Sequence, residues 1–327
     1  MEKELLQHLE FLTGIRPFRN WRNLESLKVA ADYIENEFKK YGFTIQHQKW
    51  NYGTFEYTNV IASYQPQFKK RLIVGAHYDV YNDQPGADDN TSGVAGLLYL
   101  AKAIAKNQPE LPYGIDFIAY CLEEPPHFGT KNMGSYVHAE SLCNENTELV
   151  GMICLDMIGY FSDEPNSQHY PVESLSKRFP TTGDYIAVVG LEKHAEFATA
   201  IYQRMKQAGG VDVQTINFPS NDGIAGLSDH RNYWYFGYDA VMINNTAKFR
   251  NPNYHQITDT VETLDLKRMA AVVNGVLNAI SSPFTANPQS DPTQNQISNS
   301  EKLTDTSKDR RGAITRFRVW MNALFKK

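Results

Sequence analysis

The chain has 327 residues, 42% hydrophobic and 21% charged, which is enough apolar material for a buried core in one large or two medium domains and too much for a mainly disordered chain. Its 32 Lys and Arg stand against 37 Asp and Glu, a net charge of -5, so there is no excess of basic residues of the kind that non-specific nucleic-acid binding requires. The three cysteines, Cys121, Cys143 and Cys154, are odd in number and lack paired spacing, and two lie in apolar runs; they read as core residues, not as a disulfide framework.

The first residues, MEKELLQHLEFL, are charged and amphipathic, without the apolar centre or small-residue cleavage site of a secretory signal. No apolar run approaches the ~20 residues that span a bilayer. The expected location is cytoplasmic. Leu27, Ala30, Ala31, Ile34 and Phe38 recur at helical spacing between Leu24 and Tyr41, and Gly42 follows as a stop. Thr44–Trp50 and Tyr57–Tyr64 read as strands. Arg71–Ala76 (RLIVGA) is a short apolar run suited to a buried strand that ends at His77. A loop rich in Asp, Asn and Gly leads into an apolar helix over Gly93–Ala105.

Asp116–Leu122 predicts a second buried strand, ending at Glu123-Glu124, and Val150–Leu155 a third, ending at Asp156. Tyr185–Val189 and Ala240–Asn244 predict two more, with helices over Lys193–Ala208 and Leu264–Ile280. Strands alternating with helices predict a three-layer α/β/α fold around a mixed, mostly parallel sheet. Residues 1–280 would form one catalytic domain. Residues 281–309, dominated by Ser, Thr, Asn, Gln, Asp and Pro, read as a disordered linker. The last stretch, 310–327 (RRGAITRFRVWMNALFKK), reads as a basic amphipathic tail, a candidate to contact its own domain, a partner chain or an anionic membrane surface.

His77, Glu123-Glu124 and Asp156 each follow a buried strand. Ligands of open α/β sheets bind beyond the carboxyl ends of the strands, so the three clusters should converge. The wider inventory adds Asp79, Asp88-Asp89-Asn90, Asp229-His230, Tyr254-His255 and Asp259. Apart from the Tyr254 phenol, these are carboxylate, amide or imidazole groups, with no thiol among them. Imidazole and carboxylate together suit zinc, and two ions about 3.5–4 Å apart can share one carboxylate and one water.

Five ordered motifs carry a resemblance: GAHYD, GADDNTSG, the acidic pair after a strand, LDMIGY, and YHQITDT preceded by SDH. Over about Asn20 to Ile280 the chain resembles the co-catalytic zinc exopeptidases, the family of the bacterial leucyl aminopeptidases, aminopeptidase Y, glutamate carboxypeptidase II and the glutaminyl cyclases. The resemblance implies two Zn2+ ions. His77 and Asp156 would hold one, Glu124 and His255 the other, and Asp88 would bridge them. Glu123 would be the general base for hydrolysis of amino-terminal residues from peptides by the water between the ions. Asp79 would orient His77, Tyr254 or a neighbouring group would steady the tetrahedral intermediate, and Asp88–Asp89 would be the candidate cis peptide. Asp89 is expected to shape its loop, Asn90 to cap the following helix, and Asp229 and His230 to serve the substrate pocket, support the ligands or be plain polar groups of a loop. Asp259 is expected as a loop or supporting group, and His127 is not expected as a ligand.

The text after the acidic pair, PPHFGTKNMGS, departs from the short Gly-Leu-Gly-Ser-like stretch usual in the family, which points to a distinct substrate pocket wall. Two rivals stand beside the di-zinc aminopeptidase. One is a glutaminyl cyclase-like enzyme with a single zinc, distinguished by pyroglutamate formation. The other is an inactive member used as a binding protein, distinguished by lack of turnover on a broad substrate set.

Overall fold

Alternating side chains set the two faces of a single sheet. In the computed structural model, which describes residues 1–284, the chain opens with α1 (Glu2–Thr13), α2 (Leu24–Lys40), the hairpin β1 (Ile45–Tyr52) and β2 (Phe55–Tyr64), and β3 (Arg71–His77). It continues through α3 (Gly93–Asn107), β4 (Gly114–Tyr120), α4 (Gly134–Asn144), β5 (Leu149–Leu155) and the single turn α5 (Glu173–Ser176). Then come β6 (Tyr185–Leu191), α6 (Ala195–Ala208), β7 (Asp212–Phe218), α7 (His230–Tyr235), β8 (Ala240–Asn244) and α8 (Leu266–Ile280). The eight strands lie in the order β1-β2-β4-β3-β5-β8-β6-β7. β4, β3, β5 and β8 run parallel, whereas the β1–β2 hairpin joins β4 antiparallel and β6 joins β8 antiparallel. The expected mixed, mostly parallel sheet with helices on both faces is the one that forms.

Leu72, Val74 and Ala76 of β3 share a core with α1, α2, α3, α6 and α8. Ile73, from the same strand, points to the opposite core with α4 and α7. That is the period of two expected of a strand buried on both faces. β3 has β4 on one side and β5 on the other, so the chain leaves it in both directions and a crevice opens past these three carboxyl ends. α3 starts hard against that edge. A Cβ on Gly93 would lie 2.4 Å from both the Leu155 carbonyl and Asn90 Oδ1, so only glycine admits this approach.

Ser281–Phe284, assigned by composition to the linker, pack on the body instead. Phe284 N–H donates to the Tyr113 hydroxyl at 3.2 Å, and the Arg204 guanidinium lies 4.2 Å above the Phe284 ring. The remaining linker and the 310–327 tail lie outside the described residues. Among the described residues no helix is long and apolar enough to cross a membrane.

Arg19 fastens the first helix to the site. It is 1% exposed and donates from Nε to the Tyr78 carbonyl (2.8 Å), from Nη1 to those of Leu12 and Pro85 (2.9 Å each), and from Nη2 to Gly86 (3.2 Å) and the Thr91 hydroxyl. Truncation would strand several buried acceptors at once. Arg19→Met should lower unfolding free energy by about 3–5 kcal/mol in a denaturant titration. A loss under about 1 kcal/mol, the net worth of one ordinary hydrogen bond, would contradict this role.

On the other face, His138 Nδ1 lies 2.7 Å from the Tyr233 hydroxyl, which lies 2.5 Å from that of Tyr120. Burial lowers the His138 pKa from 6.5 to about 4. Between those values the unfolded chain binds a proton that the folded chain refuses. Stability is therefore complete above pH 6.5 and falls as the pH drops toward 4. Urea unfolding at pH 7 and pH 5 should show wild type losing about 2 kcal/mol more than His138→Gln. Equal losses would remove His138 from the account.

Candidate metal centre

The carboxyl ends of β4, β3 and β5 bring the acidic pair, His77 and Asp156 together. His77 turns Nδ1 toward its own loop, 3.2 Å from the Asp79 carbonyl and 3.6 Å from Asp79 Oδ1. Its Nε2 therefore faces the crevice, 3.4 Å from Asp89 Oδ1, 3.8 Å from Glu123 Oε2 and 3.9 Å from Asp156 Oδ1. Across the crevice, His255 Nε2 lies 3.2 Å from both Asp89 Oδ2 and Glu124 Oε2. Asp89 thus offers one oxygen to each imidazole. Three donor sets have ligand atoms within 4.8 Å of one another: His77–Asp89–Asp156, Asp89–Glu124–His255 and His77–Glu123–Glu124.

Three of these donor atoms, His77 Nε2, His255 Nε2 and Glu124 Oε1, are buried and make no hydrogen bond among the described residues. Buried polar atoms are nearly always paired, so three orphans lining one crevice beside Asp89 fit bound cations. The chemistry of the set, two imidazoles among carboxylates with no thiolate, fits zinc.

Two further aspartates hold the acidic pairs by their backbone. The Asp79 carboxylate accepts from Glu123 N–H and Glu124 N–H, both at 3.1 Å. The Asp259 carboxylate accepts from Asp88 N–H (2.9 Å) and Asp89 N–H (3.0 Å). Asp79 thus does more than face His77, and Asp259 has a defined structural task. Asn90 accepts from Gly93 N–H and Met157 N–H, both at 3.1 Å, and donates to the Leu155 carbonyl at 2.9 Å, tying the turn to the end of β5.

The geometry corrects the reading of the GADDN loop. Asp88, expected as the bridge, is turned away from the crevice. Its Oδ1 accepts from Gly159 N–H (2.8 Å) and Tyr160 N–H (3.2 Å), and its Oδ2 from the amides of Asn245 and Asn251 (2.8 Å each). Asp89, expected only to shape the loop, takes the place between the histidines. The two side chains cannot share a direction, and four inward donors claim Asp88. The cis peptide correspondingly joins Asp89 to Asn90, not Asp88 to Asp89.

Asp229 is fully buried, and among the described residues its carboxylate oxygens make no hydrogen bond. His230 is not in the donor sets: its Nε2 lies 2.8 Å from the Ala225 carbonyl and its ring meets Trp234 edge-on. His127, three residues beyond Glu124, sits among Trp21, Tyr52 and Tyr57, with Tyr52 closest at 4.6 Å between ring centroids. The β1–β2 hairpin thus brings aromatic side chains to the loop after the acidic pair. Tyr254 stacks on His255, 3.8 Å between centroids.

The charge balance of the cluster is lopsided. Burial lifts the Glu123 carboxyl well above its ordinary range, with Glu124 and Asp156 adding to the lift against the pull of His77. Burial also pushes Glu124, Asp156 and Asp229 up to about 7. Asp89 runs the other way: burial raises it, but the two imidazoles outweigh burial and hold it well below the carboxylate range. His255 rises to about 10, because Glu124 and Asp89 overcome its burial.

Comparison with known proteins gives this geometry a family. The sequence profile of peptidase family M28 matches residues 59–280. YfbL of Escherichia coli (strain K12) is 37% identical over 286 residues, covering 85% of this chain and 87% of that one. Fungal proteins named leucine aminopeptidase 1 are 24–26% identical, and the chain spans 52–66% of their length. Among solved structures, the Legionella pneumophila LapA aminopeptidase superposes with a TM-score of 0.68 at 18% identity, covering 86% of this chain and 71% of that one. The Bacteroides thetaiotaomicron glutaminyl cyclase superposes with a TM-score of 0.62 at 19% identity, covering 86% of this chain and 97% of that one. These two likenesses speak to the fold. The profile match and the likeness to YfbL decide the family: the chain belongs to peptidase family M28.

Proposed function

We propose that this chain is a zinc-dependent aminopeptidase that removes amino-terminal residues from peptides. The observation that carries the reading is Asp89, set between two otherwise unsatisfied imidazole nitrogens and flanked by Glu124 and Asp156. His77 and Asp156 would hold one ion, Glu124 and His255 a second, and Asp89 both. Zinc bound there supplies polarisation of a substrate carbonyl and a water acidic enough to ionise near neutral pH.

Glu123 is the proton carrier in this reading. Its carboxylate takes a proton from the attacking water and delivers it to the departing amine. Asp79 keeps Glu123 in place through the backbone, so the carboxylate stays free to act. Preference for the amino end has an electrostatic basis. Eight carboxylates (Asp79, Asp88, Asp89, Glu123, Glu124, Asp156, Asp229 and Asp259) are buried around the crevice, more negative charge than two dications would offset, which favours a substrate amine over a substrate carboxylate.

The zinc-loaded protein should release free amino acids from peptides with an open amino group and none from acetylated ones. Pyroglutamate formed from glutaminyl peptides, without hydrolysis, would instead place it with the cyclases. Glu123→Gln should keep its zinc and lose roughly 10²–10⁴-fold in turnover. Unchanged turnover would remove the proposed base.

The two neighbouring aspartates should separate cleanly. Asp89→Asn should lose zinc on dialysis while folding normally. Asp88→Asn should keep zinc when folded but lose about 1–3 kcal/mol of stability, because an amide N–H₂ would face donors. Metal analysis beside denaturant unfolding reads both, and the reverse pattern would restore Asp88 as the bridge.

A further inference from the structure

The two crevice histidines are held by different means. His77 is fixed through its second ring nitrogen, which faces the carbonyl and carboxylate of Asp79. Metal-binding imidazoles are commonly oriented this way. His255 lies outside regular secondary structure, with φ +59°, and the three residues after it are exposed. No hydrogen bond from the described residues reaches its Nδ1.

Its ring is gripped by its faces instead. The Tyr81 ring lies 4.0 Å from it at an interplanar angle of 9°, and the Tyr254 ring lies 3.8 Å from it at 17°. Two near-parallel rings this close cannot occupy the same face, so the imidazole is the middle layer of a three-ring stack. Tyr254 is its chain neighbour. Tyr81 comes from far away in sequence, four residues after His77 on the loop that also carries Asp79.

We propose that Tyr81 is the positioning residue of His255. Its ring fixes the imidazole plane and keeps Nε2 aimed between Asp89 and Glu124, doing by stacking what Asp79 does for His77 by hydrogen bonding. The loop after β3 then aligns both histidines, one from its beginning and one through Tyr81. Offset stacking against an aromatic face is a real but orientation-dependent attraction, so a flat ring is needed and not merely bulk. The inference rests on the metal-site reading above.

The test is zinc affinity, measured by competition with a chromophoric chelator on the full chain. Loss of an orienting partner typically weakens a metal site 10–100-fold. Tyr81→Ala and Tyr81→Leu should each weaken zinc binding in that range, Tyr81→Phe should match wild type, and excess zinc should restore turnover in the weakened variants. Thermal unfolding of the metal-free proteins controls for folding, and the leucine variant serves if the alanine variant fails to fold. Wild-type affinity in Tyr81→Leu would overturn the proposal, and so would a Tyr81→Phe as weak as the alanine variant. Wild-type protein that binds no zinc would overturn the metal-site reading itself, and this inference with it.

Discussion

Sinking many like charges together is expensive, and this cost organises the protein around its crevice. The eight carboxylates there have fewer cations of the chain's own nearby: two imidazoles and the guanidiniums of Arg19, whose charge reaches Asp79, Asp259 and Asp89, of Arg231, which reaches Glu123, and of Arg250, which reaches Asp88. An isolated buried carboxylate either finds donors or gives up its charge. Three of the eight find donors. Asp79 and Asp259 each take two backbone N–H groups, and Asp88 takes two backbone N–H groups and two side-chain amides. The other five, Asp89, Glu123, Glu124, Asp156 and Asp229, are left for the crevice.

That division turns structure into chemistry. Each adjacent acidic pair is pinned by a buried aspartate through its backbone, so its side chains remain available. One pair sends Asp88 inward and Asp89 outward. The other places Glu124 beside His255 and leaves Glu123 nearer His77. The raised proton affinities of Glu123, Glu124, Asp156 and Asp229 are the electrostatic counterpart of the same crowding. Bound dications would relieve it, since a nearby positive charge favours the ionised carboxylate. In the proposed reading the protein's rigidity serves to keep a set of mutually repelling groups within reach of one another.

Much of this was legible in the chain. Buried strands announce themselves as short apolar runs, and a polar cluster at the end of each one marks the sheet's carboxyl edge. The convergence of His77, Glu123-Glu124 and Asp156 follows from that pattern. What the pattern lacks is direction. GADDN places two aspartates side by side, and nothing local says which faces the crevice. That is decided by Gly159, Tyr160, Asn245 and Asn251, distant residues whose donors claim Asp88. Tyr81 was hidden for the same reason: its partner lies 174 positions away. The helices α4 and α7 and the strand β7 leave no clear periodic mark in the sequence, because their burial is partial or their apolar pattern short. Arg19 gave no sign of being buried, since a lone arginine in a loop is usually solvated.

On the proposed reading the crevice holds zinc around Asp89. Anomalous diffraction at the zinc edge, from crystals grown with the metal, locates the ions without recourse to activity. Two peaks should stand about 3.5–4 Å apart, one bordered by His77 and Asp156 and the other by Glu124 and His255, with Asp89 touching both. Density confined to other residues, or no peak in the crevice at saturating zinc, would contradict it.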